Sequence, residues 1–430
     1  MAEKQDYRPM WTELGLDLEG HDGLLKVLGD SYSEVYLHQE NRPSAMEYFD
    51  FVVSEAHGLR IKELMDAKDE GRKVIGTFCL YVPEEIILAL DGISVGLCAG
   101  AEIGAEKAEE YLPRNLCALI KSFMGFELAG LCPYFRACDI VIGETTCDGK
   151  KKAYELLEDI KETYVMELPQ KKEETDRALW KAEGYKFVEV CERVTGKKLT
   201  PDNLKEAIRT VNDRRRAQLR LRDARRASPP PISGRDALLV NQIAFYDNPA
   251  RFTESVNKLC DELETRTEGK VSPGDNGAPR VVISGCPMAL PNWKLPFIVE
   301  SSGADVVAEE SCVGERGFRT LVDEDGETLD EMIDNLVDRY LTIDCACFTP
   351  NPERVEHVLE TSREFDADGV IHYSISFCTP YMVEAKKVED ALSAAGIPLL
   401  KIETDYSQGD VGQLQTRIDA FLEMLKARHS

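Results

Sequence analysis

RVVISGC (residues 280–286), DVVAEESC (305–312) and GVIHYSISFC (369–378) are three short apolar runs, each closed by a cysteine: Cys286, Cys312 and Cys378. Stretches with helical character lie between and after them, near 291–302, 328–340, 351–364, 380–395 and 411–427, with one more strand-like run, IPLLKIE, before the last. Strands alternating with helices of this length predict right-handed crossovers and a parallel sheet. The same texture begins at Lys73. KVIGTFC ends at Cys79, ISVGLC at Cys98 and DIVIGETTC at Cys147, and Pro83-Glu84-Glu85 marks a helix start. In open α/β sheets, ligands bind beyond the carboxyl ends of the strands, so six cysteines at such ends point at one shared site.

The remaining segments read as helical. Residues 1–72 place Met46, Phe49, Val52 and Val53 at helix period. Residues 105–129 read as one helical stretch, and 150–268 as a charged helical region broken by Ser228-Pro229-Pro230-Pro231. VSPGDNGAP (271–279) is the clearest linker. The expectation is an α/β protein with two doubly wound, flavodoxin-like parallel-sheet domains. Its parts are an N-terminal helical region (1–72), a first α/β domain (73–155), a helical connection and linker (156–278) and a second α/β domain (279–430).

The 430 residues carry 78 acidic and 52 basic side chains, a formal charge of -26 that repels nucleic acid and anionic membranes. Lys205 to Arg226 runs against this, with nine Lys or Arg and three Asp or Glu. It reads as a solvated helix face, with a docking patch for an acidic partner as the alternative. No apolar run reaches the ~18 residues of a membrane span, and MAEKQDYRPM lacks the pattern of a signal peptide, so a cytoplasmic location is expected. In that reducing compartment thirteen cysteines favour metal binding or catalysis over disulfides.

The common nucleotide and zinc motifs are absent: no GxGxxG after a strand, no GxxxxGK[ST], no HExxH, no paired CxxC. His372 reads as a core histidine. Cys147 precedes Asp148-Gly149-Lys150-Lys151-Lys152, where free backbone N–H groups and cations favour a thiolate. Cys286 and Cys378 stand before Pro287 and Pro380 at strand-to-helix corners, and Cys345 and Cys347 would face one side in a strand or converge in a loop. Cys132, Cys138, Cys191 and Cys260 read as structural thiols. By periodicity alone Cys117, in YLPRNLCALIKSFMG, belongs to a helix core.

The order Val82-Pro83-Glu84-Glu85-Ile86-Ile87, Leu112-Pro113-Arg114-Asn115-Leu116-Cys117, GETTCDGKKK and Phe377-Cys378 resembles the 2-hydroxyacyl-CoA dehydratase and benzoyl-CoA reductase superfamily from about residue 73 onward. That resemblance implies a [4Fe–4S] cluster on Cys117, Cys147 and Cys378. Further cysteines, namely Cys98 in GLCAG, Cys286 in SGCPM, Cys312 in EESCVGERG and the pair Cys345 and Cys347, resemble the double-cubane branch. That branch implies an [8Fe–9S] cluster on six cysteines, so eight candidates compete for six places, and Cys79 is set aside as structural. The resemblance also implies a homodimer, and a separate ATP-hydrolysing activator with its own [4Fe–4S] cluster that supplies low-potential electrons for reducing small molecules. Two other readings stand beside this one: a 2-hydroxyacyl-CoA dehydratase subunit with a single [4Fe–4S] cluster, and a non-catalytic electron-transfer or metal-storage protein.

Overall fold

A computed structural model describes residues 5–428. Two four-stranded sheets organise the chain. The first contains β1 (Val74–Thr77), β2 (Ile93–Gly96), β3 (Ile140–Glu144) and β4 (Thr163–Met166), in the order β2-β1-β3-β4. The second contains β5 (Arg280–Gly285), β6 (Asp305–Glu310), β7 (Gly369–Ile375) and β8 (Leu399–Thr404), in the order β6-β5-β7-β8. Every pairing is parallel. The two orders are the same permutation, so each sheet changes winding direction next to its first strand, between β1 and β3 and between β5 and β7. Such switch points open crevices at the strand carboxyl ends.

Central strands β1, β3, β5 and β7, and the covered edge strand β6, are buried at every residue, which is why apolar runs such as VVIS and IVIG mark them. Residues of both sheets, among them Ile75 and Ile283, share one hydrophobic core. The halves are also joined by backbone: Ala118 N–H donates to the Ser376 carbonyl at 3.3 Å, and Thr349 N–H to that of Gln170 at 2.9 Å. The N-terminal helices are as read, and Phe49, Val52 and Val53 pack with residues of the helices Gly234–Ile243 and Pro249–Glu268.

Three expectations are corrected. Strand β4 lies inside the stretch read as a helical connection. It is a short edge strand, half-exposed for most of its length, with only the three apolar residues Tyr164, Val165 and Met166 to mark it. The stretch 105–129 is two helices, Ala105–Ala108 and Ala118–Leu128, and Cys117 sits in the break as the residue that opens the second. Most consequential, only part of the basic segment is a solvated face: Arg209, Arg216 and Arg226 are exposed, and other arginines turn inward. The helix Pro201–Ala224 and its exit lie between the two halves. Arg214 pairs with Glu84, Arg215 with Glu85 at 2.7 Å, Arg222 with Glu315 at 2.9 Å and Arg225 with Glu309 at 2.6 Å. Charges read as facing water thus hold carboxylates from both halves. A buried pair of this kind costs about 3–5 kcal/mol when one partner is removed.

Candidate metal centre

All six strand-end cysteines emerge within three residues of their strands. Cys117, Cys147 and Cys378 each cap the N-terminus of a helix: Ala118–Leu128, Asp148–Glu158 and Thr379–Ala394. Their sulfurs close no cap hydrogen bond. Nearby amides nevertheless favour their thiolates: those of Leu119 and Ile120 at Cys117, of Lys150 at Cys147 and of Tyr381 at Cys378. Phe377, at φ 66°, makes the left-handed turn that ends the strand segment before Cys378.

The cysteines surround one cavity of about 130 Å³, lined by Cys98, Cys117, Cys147, Cys312, Cys345, Cys347 and Cys378, and by Cys79. Cys286 lies behind Cys378, is 1% exposed and accepts the Ile375 N–H at 3.3 Å. Side-chain contacts sort six of the sulfurs into two groups. The free thiols of Cys117 and Cys286 both lie against that of Cys378. Those of Cys312 and Cys347 both lie against that of Cys345. Cys345 and Cys347 leave the helix Leu329–Leu341 in a loop, not a strand, and converge there.

Within the Cys345 group the thiols are shifted unequally: their hydrogen bonds to Cys345, then burial, push Cys312 and Cys347 up, while Cys345 itself is held down. Two thiol hydrogen bonds hold Cys345 well below the usual thiol range, with help from the Arg316 guanidinium and the Tyr381 hydroxyl. Arg316 is buried and donates through Nη1 to Cys312 Sγ at 3.3 Å and to the Tyr381 hydroxyl, whose oxygen lies 3.5 Å from Cys345 Sγ. Glu310 and Asp344 hold the same guanidinium in place. In the other group the hydrogen bond to Cys378, then burial, pushes Cys117 upward. Burial also pushes Cys98 up to about 11. Lys150, 8% exposed, lines the cavity; burial disfavours its ammonium, and its partner Glu144 outweighs that and keeps it charged.

Among the described residues no group of three His, Cys, Asp or Glu is drawn together around a single ion. Thiols spread around a cavity suit a larger sulfur-rich group, and soft thiolates select iron and sulfur. The donor set therefore fits an iron–sulfur cluster.

Several site features escaped sequence reading. Cys79, set aside as structural, lines the cavity and lies near Cys345 and Glu144. Its position at the end of β1 was the available signal. Arg316 and Tyr381 carried none, since a lone arginine in VGERG and a tyrosine after a proline are ordinary. The four cysteines read as structural stay outside the cavity lining: Cys132 accepts from Phe135 N–H, Cys138 donates to the Tyr134 carbonyl, and Cys191 and Cys260 are buried in helices. His372 is a core residue, 1% exposed, and burial lowers it to about 3.

The family described as 2-hydroxyglutaryl-CoA dehydratase, D-component, matches residues 79–425. A protein of Escherichia coli (strain K12), provisionally named dehydratase subunit YjiM, is 38% identical over 86% of this chain and 96% of its own. The (R)-phenyllactyl-CoA dehydratase beta subunit of Clostridium sporogenes is 26% identical over 83% of this chain and 92% of its own. One of the benzoyl-CoA reductase subunits of Thauera aromatica is 23% identical over 83% of this chain and 92% of its own. The chain belongs to the 2-hydroxyglutaryl-CoA dehydratase D-component family, within the 2-hydroxyacyl-CoA dehydratase and benzoyl-CoA reductase superfamily.

Proposed function

We propose that this protein is an iron–sulfur reductase that holds an [8Fe–9S] double-cubane cluster and reduces small molecules at low potential. The observation that carries it is the presence of two cysteine groups, Cys117, Cys286 and Cys378 against Cys312, Cys345 and Cys347, at one cavity also lined by Cys98 and Cys147. A single [4Fe–4S] cluster needs no second group. When bound, the cluster supplies one-electron chemistry; the chain holds it, sets its surroundings and excludes water. Cys117, Cys147 and Cys378 bring amide-rich helix starts to the sulfurs, and Arg316 brings a charged donor. Lys150 keeps a cation at the cavity wall, which favours added negative charge there.

The electrons come, on this reading, from an ATP-hydrolysing activator with its own [4Fe–4S] cluster, acting on a homodimer in the cytoplasm. The chain has no ATP-binding motif of its own. A second reading is a 2-hydroxyacyl-CoA dehydratase subunit, favoured by the names of the Clostridium sporogenes and Escherichia coli relatives. Iron and sulfide counts on protein purified without air separate them: about eight irons per chain for the first, about four for the second.

A further inference from the structure

A second cavity, of about 520 Å³, opens beside the cysteine cavity and shares with it a wall of Cys79, Leu80, Phe245, Cys312 and Val313. Its volume falls in the usual range for small-molecule sites. The outer part is slightly acidic: Arg60, Arg72 and Arg251 sit among Glu63, Asp66, Glu70 and Asp247, with Arg60 paired to Glu63 and Arg251 to Glu63 and Asp247. The inner end is not. Arg214 pairs with Glu84 and Arg215 with Glu85, while Arg339, 4% exposed, forms no ion pair among the described residues. Arg339 donates only to the carbonyls of Gly317 and Thr320. Three guanidiniums there face two carboxylates. Burial, then the neighbouring Arg215, lowers Arg339 to about 10, which still leaves it charged at neutral pH.

An uncompensated buried cation is costly unless an anion joins it. In a chain of net charge -26, this is a local excess of the opposite sign. Thr210, Gln218 and Asn241 add polar groups to the lining, and Leu80, Val313 and Phe318 an apolar wall. Gly317, whose carbonyl Arg339 holds, packs so that a methyl added to it would sit 3.5 Å from Leu80 Cδ2.

We propose that this cleft binds a small molecule carrying a carboxylate on a short carbon chain, with the carboxylate at Arg339 and the chain against Leu80, facing the cysteine cavity. With Nε and Nη2 of Arg339 holding carbonyls, its Nη1 end is left to donate to a carboxylate, and the apolar wall selects a carbon chain over an inorganic oxyanion. This deepens the reductase reading by naming the class of its small molecule, and rests on that reading for what the bound molecule is there to do.

Isothermal titration of the full-length chain with butyrate, butyramide and inorganic phosphate tests it. Butyrate should bind, with the two others at least about tenfold weaker. Arg339→Gln should lose butyrate binding and Arg339→Lys retain part of it. Because Arg339 also holds two carbonyls, the unaltered chain gives a second measurement: butyrate affinity should fall as salt rises. Equal binding of butyramide or of phosphate, no butyrate binding, or affinity indifferent to salt would overturn the proposal. Iron counted on the same preparations keeps the two ideas apart. Full iron without butyrate binding removes the cleft alone, and butyrate binding without iron removes the cluster alone.

Discussion

The two cysteine groups share a cavity but are supported in different ways. Around Cys117, Cys286 and Cys378 the polar support is backbone: the amides of Leu119, Ile120, Ile375 and Tyr381. Around Cys312, Cys345 and Cys347 it is side chain: the Arg316 guanidinium and the Tyr381 hydroxyl. Backbone donors come with the strand-to-helix corner and survive substitution. Side-chain donors do not, so the second group can be tuned, or damaged, one residue at a time.

The largest effect expected comes from the sulfurs themselves. Cys147→Ser, Cys345→Ser and Cys378→Ser should each lose most of the bound iron, because oxygen is a harder ligand than sulfur. Cys191→Ser, at a fully buried helical site, should keep its iron and lose about 1–3 kcal/mol of stability. Iron analysis beside a urea melt reads both. Equal iron in all four variants would sink the cavity assignment.

Arg316→Met comes next. It removes one partner each from Glu310, which keeps Arg354 and Ser284, and Asp344, which keeps His357, so stability should fall by up to about 3–5 kcal/mol. In metal-free protein it should also raise the pH at which the Cys345 thiolate forms, since the lost cation favoured the charged form. The Cys378 group should be unmoved. Ultraviolet thiolate absorbance against pH checks this, and a matching shift in both groups would erase the contrast between them.

Tyr381→Phe is the smallest and sharpest change. Tyr381 serves both groups, its amide facing Cys378 and its hydroxyl reaching Cys345 at 3.5 Å. The variant keeps the amide and deletes the hydroxyl, which both reaches Cys345 and accepts from Arg316, at about 0.5–1.5 kcal/mol per contact. Cysteine-resolved alkylation of the metal-free chain should change at Cys312, Cys345 and Cys347 and stay constant at Cys117 and Cys378.

Much of the fold was legible because burial on both faces leaves a plain trace. Runs such as VVIS and IVIG are continuous where a strand is central, and the cysteines at their ends follow in series. Edge strand β4, with Val165 36% exposed, left only a three-residue trace. The helix Pro201–Ala224 misled for a related reason: a run of arginines looks the same whether it meets water or carboxylates, and Glu84, Glu85, Glu309 and Glu315 come from distant parts of the chain.

The sequence by itself determined the alternation of strands and helices, the placement of cysteines at strand ends, and, through Val82-Pro83-Glu84-Glu85 and Leu112-Pro113-Arg114-Asn115-Leu116-Cys117, the family. These are properties of short segments. Only the tertiary structure decided which sulfurs meet, that Cys79 joins them, that Cys286 stands behind Cys378, and that Arg316 serves one group alone. Strand ends are set by local chemistry, but which ends face each other depends on how two sheets pack through a shared core, a contact between residues hundreds of positions apart.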